Sequence, residues 1–194
     1  LHDVSGELDP DEVWRDAWAR LARATQDRRH AFRHPVVATH APQLGVRART
    51  VVLRAAEPSP ARLTLHTDRR SGKLAALALE PCLSWCFYDR RPRIQLRVET
   101  RAVVHVGDAV ARDVWERQGP ATRAVYAVEP APATPLGDEV RPPVDPEDAT
   151  GFAHFAVVEC AVEELDWLQL GRSEHRRIRF SASDGVWRGV PIVP

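Results

Sequence analysis

The chain has 194 residues, 44% apolar and 28% charged, which suits a domain that builds its own core without covalent staples. Lys plus Arg equals Asp plus Glu at 27 each, so no net basic field favours a nucleic-acid partner. No apolar run reaches the roughly 18 residues of a membrane span. Three cysteines (Cys82, Cys86 and Cys160) and no visible secretory segment lead us to expect a reducing, cytoplasmic compartment.

In chain order, residues 9–28 are expected to form a helix. Asp9 caps it, Pro10 takes the first helical position, and Glu12 completes a capping-box spacing. Trp14, Trp18, Leu21 and Thr25 recur on one helical face. From residue 35 the period becomes two. Residues 35–39, 46–55, 62–67, 83–88 and 93–106 are expected strands, separated by turns at Pro58, Pro60 and 89–92. A helix over 71–79 interrupts them, with Leu74, Leu77 and Ala78 on its buried face and Pro81 ending it.

Asp108 caps a further helix that runs to Gln118 and stops at Gly119, and a short helix follows over 121–128. Residues 129–150 hold six prolines and form a loop. Strands are expected again at 152–163, 178–183 and 186–193, with Asp166-Trp167-Leu168 as a sheet terminus. Many short strands with peripheral helices point to a mostly β fold, antiparallel and closed into a small barrel, because closure removes exposed edges. The whole chain is expected to form a single domain.

The richest stretch for chemistry is 65–73, Leu-His-Thr-Asp-Arg-Arg-Ser-Gly-Lys, where a strand gives way to a helix. Free N–H groups and the dipole at a helix start favour an anion. Ser71 adds a hydroxyl, and Lys73, the sole lysine, adds a point charge. Three other segments carry cations or amides. Arg49-Thr50-Val51-Val52-Leu53-Arg54 has an arginine at each end, and parity places the two on opposite faces of a regular strand. In 93–99 the alternation turns Ile94, Leu96 and Val98 to a core and Gln95 away from it, where its amide can read a heterocycle or sit in water. His175, Arg176, Arg177 and Arg179 make a cationic start to a strand.

The order and spacing of these four blocks resemble the pyridoxamine 5′-phosphate oxidase family, whose members share an FMN-binding split β-barrel. The resemblance runs from Val46 to Pro194 and is weakest in the proline-rich loop. It implies that Arg49 and Lys73, with Ser71 beside them, bind the FMN phosphate. It implies that the backbone of Thr50, Val51, Val52 and Arg54 lies along the flavin ring, flanked by His66 and Thr67. It further implies a homodimer with the flavin near the subunit interface, Gln95 reaching it from the second subunit, and Arg179 contacting it.

The chain departs from the family at three places. Gly72 stands where the oxidases carry an arginine, unless Arg70 replaces it. His175 and Arg177 occupy the places of the oxidases' Arg and His in exchanged order. Gln169 stands where a Trp is expected, with Trp167 nearby.

These readings lead to an FMN-dependent oxidoreductase acting on a small molecule, with Arg54, His175 and Arg177 available to an anionic substrate. An FMN-binding or sensing protein without turnover is the alternative. No side chain is singled out as catalytic. The cysteines and histidines show no zinc spacing, and Cys82 and Cys86 are expected to be buried free thiols.

Overall fold

The computed structural model describes residues 8–41, 45–135, 149–172 and 174–194. Helix α1 (Pro10–Gln26) is followed by strands β1 (Val36–Ala41), β2 (Gly45–Thr50), β3 (Ala55–Pro58) and β4 (Ala61–Asp68). Helix α2 (Gly72–Leu79) leads into β5 (Cys82–Asp89) and β6 (Ile94–His105). Helices α3 (Ala109–Glu116) and α4 (Pro120–Ala124) precede β7 (Phe155–Leu170), β8 (His175–Ser183) and β9 (Val186–Ile192). No helix among the described residues is long and apolar enough to cross a membrane.

All strand pairs are antiparallel, in the order β2-β1-β5-β6-β7-β4-β3. The long β7 pairs with β6 along its length. On its other edge it carries β4 over Phe155–Ala161 and β8 over Glu164–Leu170, with β9 outside β8. The two ends of the main order, β2 and β3, are consecutive in the chain. Between them the N–H groups of Val51 and Leu53 donate to the carbonyls of Pro35 and Arg33, and that of Arg54 donates to Thr64. Residues 51–54 thus cross from one end of the sheet to the other and close it into an antiparallel barrel, as the strand pattern predicted, of the split type that the resemblance implied.

Period-two alternation decides which residues fill the barrel. Leu83, Trp85 and Phe87 of β5 and Ile94, Leu96 and Val98 of β6 point inward and are buried. The outer face is different. Across the strands, Thr50, Val36, Cys86, Arg97, Asp166, Arg179 and Val190 form one row by register. Val36, Tyr88 and Val190 are exposed apolar residues on that face.

Several expectations are corrected. The expected strand 46–55 is two strands, because the chain changes pairing partner at 51–54. The α1 stripe buries Val13, Ala17, Trp18, Leu21 and Ala24, so Trp14 and Thr25 lie at its border. Trp14 instead stacks on Trp187 at 4.8 Å. In α2 the third buried residue is Ala76, and Ala78 is exposed. Residues 149–154 are a 3-10 turn, not the start of a strand, and β7 runs to Leu170, so Asp166-Trp167-Leu168 lies inside it. Cys82 and Cys86 are exposed, since their parity opposes that of Leu83, Trp85 and Phe87; Cys160 is buried. Residues 136–148 of the expected proline-rich loop lie outside the described residues.

Candidate functional site

Two cations meet where β2 and α2 approach over β1. Thr39 and Arg49 lie on one face of the β1–β2 pair, along with Val37 and Arg47. The Arg49 guanidinium donates to the Thr39 hydroxyl at 2.8 Å. Helix α2 packs on β1 and brings Lys73 to the same place. Lys73 Nζ donates to Thr67 Oγ1 at 2.6 Å and to Ser71 Oγ at 3.0 Å. Ser71 is the N-cap residue of α2, yet its hydroxyl makes no cap bond to the helix.

Neither cation has a carboxylate partner among the described residues. Burial, and then Arg49, pull Lys73 below the ordinary lysine value, with Asp68 opposing. Burial, and then Arg47, lower Arg49 in the same way. Hydroxyls hold both groups in place without neutralising them. A half-buried pair of unneutralised cations at a helix start can accept an anion.

On the other face of β4, His66 and Arg54 form a second cluster. The His66 ring meets Phe155 edge-on at 5.2 Å, and Phe155 in turn packs on Tyr126 and Trp115. Burial, and then Arg54, push His66 down to about 4, so its ring is neutral at pH 7. His66 Nδ1 and Arg54 Nε are both buried without a hydrogen-bond partner. Buried polar atoms left unpaired cost free energy, so two of them side by side mark a place where a polar ligand edge can complete the bonding. Val51 and Val52, half-buried in the crossing segment, lie between Thr50 and Arg54.

Gln95 and Arg179 are elsewhere in the chain. Gln95 stands on the outer face of β6, opposite Tyr88 and Leu168 and separated from β2 by β1 and β5. Arg179 is exposed on β8, 3.7 Å from Glu164. His175 is exposed at the start of β8. Arg177 is bound through Nε and Nη2 to the carboxylate of Asp166, which also accepts from Arg97 at 2.8 Å. Thus Arg49, Thr67, Ser71 and Lys73 come together, Arg54 and His66 come together, and Gln95, Arg177 and Arg179 share a separate outer surface.

Arg70 does not stand in for the arginine missing at Gly72. It is paired with Asp68 at 2.8 Å and with Glu129 at 2.6 Å, and it donates to the carbonyl of Val128. A Cβ at position 72 would meet nothing within 4 Å. Pattern reading missed Thr39; its signal is a hydroxyl at a buried, inward position of a strand otherwise lined there by Val37. Pattern reading also missed the aromatic wall of Trp115, Tyr126 and Phe155, whose members come from α3, the segment after α4, and β7.

Residues 11–106 match the family model for the pyridoxamine 5′-phosphate oxidase FMN-binding domain. No curated protein matches the chain. Among solved structures, a pyridoxamine 5′-phosphate oxidase-related, FMN-binding protein from Nostoc punctiforme superposes with a TM-score of 0.77. It is 23% identical, and the match covers 97% of this chain and all of that one. PhzG from Burkholderia lata, in complex with tetrahydrophenazine-1-carboxylic acid, gives a TM-score of 0.69 at 16% identity, over all of this chain and 98% of that one. A Clostridium acetobutylicum protein related to general stress protein 26 gives 0.60 at 10% identity, over 92% and 100% of the two chains. The chain thus has the split-barrel fold of these structures, and its residues 11–106 are similar to the pyridoxamine 5′-phosphate oxidase FMN-binding domain.

Proposed function

We propose that this protein binds FMN and works as an FMN-dependent oxidoreductase on a small molecule in the cytoplasm. The observation that carries this reading is the pair Arg49 and Lys73, half-buried and held, among the described residues, by the hydroxyls of Thr39, Thr67 and Ser71. A phosphate monoester supplies the negative charge that this pair lacks. The unpaired His66 Nδ1 and Arg54 Nε fit the polar edge of a flavin ring, and the 50–54 backbone supplies its bed.

A bound flavin supplies the redox chemistry, and the chain's part is to hold it and place the substrate. Lys73, Arg49 and Ser71 bind the phosphate. His66, neutral at pH 7, offers a ring nitrogen without adding charge. Arg54, whose guanidinium has no partner among the described residues, is available to an anionic group of the substrate, and His175 is a further candidate for that role.

A homodimer belongs to the same reading. Within one chain Gln95 and Arg179 lie on the outer sheet face, and neither bonds to Arg49 or Lys73 among the described residues. They join it from a second subunit docked on the outer sheet face, where Val36, Tyr88 and Val190 are exposed.

One observation favours the second reading, a flavin-binding protein without turnover. Arg177, a candidate substrate residue, is committed to Asp166.

The deciding experiment is the absorbance spectrum of the purified protein, followed by titration of FMN with fluorescence detection. A bound flavin, or quenching on addition of FMN, supports the reading; a colourless protein that leaves FMN fluorescence unchanged defeats it. Oxygen consumption with pyridoxamine or pyridoxine phosphate then separates an oxidase from a binder. Sedimentation velocity tests the dimer.

A further inference from the structure

We propose that Thr39 is the positioning residue of the phosphate site, presetting Arg49 for a phosphate monoester. The proposal rests on the FMN reading above and assigns a role to a residue outside the family-like motifs.

Thr39 is 2% exposed, on the inward face of β1. A buried hydroxyl costs free energy unless it is bonded, and its recorded partner is the Arg49 guanidinium at 2.8 Å. Arg49 stands on β2 between two repelling cations. Arg47 is two residues away on the same face, and Lys73 approaches from α2. Without ligand, a long and flexible side chain in that field relaxes toward solvent, away from Lys73. The Thr39 hydroxyl prevents this by accepting from Arg49.

The choice of a hydroxyl matters. A carboxylate at position 39 would hold Arg49 more tightly and would also cancel the charge that the ligand needs. A threonine fixes geometry and leaves the charge in place. Thr67 and Ser71 do the same for Lys73. Rigid placement before binding converts into affinity, because less ordering remains to be done when the ligand arrives.

The test measures FMN and riboflavin affinity by fluorescence quenching on wild type, Thr39→Val, Thr39→Ala and Thr39→Ser. Riboflavin shares the ring and lacks the phosphate. The expected result is FMN binding weakened about tenfold in Thr39→Val and Thr39→Ala, riboflavin binding unchanged, and Thr39→Ser within about twofold of wild type for both. Thr39→Ala introduces no extra bulk and carries the test if Thr39→Val does not fold. Equal loss for both flavins, or failure of Ser to restore FMN binding, assigns Thr39 a purely structural role and overturns the proposal. Unchanged FMN affinity in the variants overturns the proposal and leaves the FMN reading standing. A wild-type protein that binds neither flavin removes the FMN reading and the proposal with it.

Discussion

Lys73 Nζ donates to Thr67 Oγ1 across 2.6 Å, linking the first turn of α2 to the end of β4. The bond fixes the lysine over the β4–α2 junction and leaves its charge unneutralised. Burial and the nearby Arg49 both disfavour its charged form, so an anion beside it would stabilise that form.

Replacing Lys73 with Met should therefore weaken FMN binding by about 1–3 kcal/mol, the range for a hydrogen bond to a charged group. Inorganic phosphate should raise the melting temperature of the wild-type protein and leave that of Lys73→Met unmoved, since a ligand stabilises only a state that binds it. The pH dependence has a definite sign. Burial and Arg49 lower the Lys73 pKa, so affinity for the phosphate falls as pH rises through a value below that of an ordinary lysine. FMN titrations from neutral to alkaline pH measure this directly. Affinity that stays level even above the ordinary lysine value would place the phosphate elsewhere.

Gly72 provides a gain-of-function test. It is the first residue of α2, and a Cβ there meets nothing within 4 Å. Arg70 cannot serve the site while it is clamped between Asp68 and Glu129. Gly72→Arg should thus add a donor beside Lys73 and tighten FMN binding by up to about tenfold, without loss of helix stability, since glycine is a poor helix former. A variant with unchanged or weaker affinity would show that the space beside Lys73 faces away from the phosphate.

The sequence revealed the local devices and concealed those set by tertiary pairing. Asp9 and Asp108 cap α1 and α3 as their positions predict, with side chains accepting from Asp11 N and Ala111 N. The alternation of 94–98 identified the core face of β6, and the Ser71–Lys73 junction marked the cationic site. The break at 51–54 carries no glycine or proline; it arises because Val51 and Leu53 bond to 33–35 while Arg54 bonds to Thr64. The length of β7 was hidden by Glu163, Glu164 and Asp166, which read as a strand end. Asp166 is tolerated in the sheet because Arg97 and Arg177 reach it from the flanking strands. Exposure of Cys82 and Cys86 followed from parity once Trp85 was fixed inward, and apolar character alone gave the wrong side.

His66 predicts a specific acid sensitivity. Its pKa falls from 6.5 to about 4 on folding, first through burial and then through Arg54. The unfolded chain therefore binds a proton that the folded chain refuses between those values, and stability drops as pH falls from 6.5 toward 4. By pH 4 the drop from this group approaches about 3 kcal/mol. His66→Gln should flatten the urea-denaturation midpoint between pH 6.5 and 4.5 relative to wild type. An identical pH profile in the two proteins would mean that the ring is hydrated in solution.

Asp166 predicts the opposite arrangement, an ion pair that stabilises the outer sheet face. Burial alone would raise its carboxyl, but hydrogen bonds from Arg177 and Arg97 outweigh that and hold it below the ordinary carboxylate range. A depressed carboxylate contributes stability above its unfolded-state pKa and loses it as pH falls through the folded-state value. Asp166→Asn should cost about 3 kcal/mol at pH 7, because it leaves the half-buried Arg177 without its counter-charge. Arg97→Ala should cost about 1 kcal/mol or less, since its side chain is 49% exposed and the Arg177 contact survives. Urea unfolding of the two variants orders them. If FMN affinity survives Asp166→Asn in a folded protein, Arg177 is a structural cation of β8. If riboflavin and FMN affinity both fall while the oligomeric state is unchanged, the Arg97–Asp166–Arg177 cluster reaches the flavin from a second subunit.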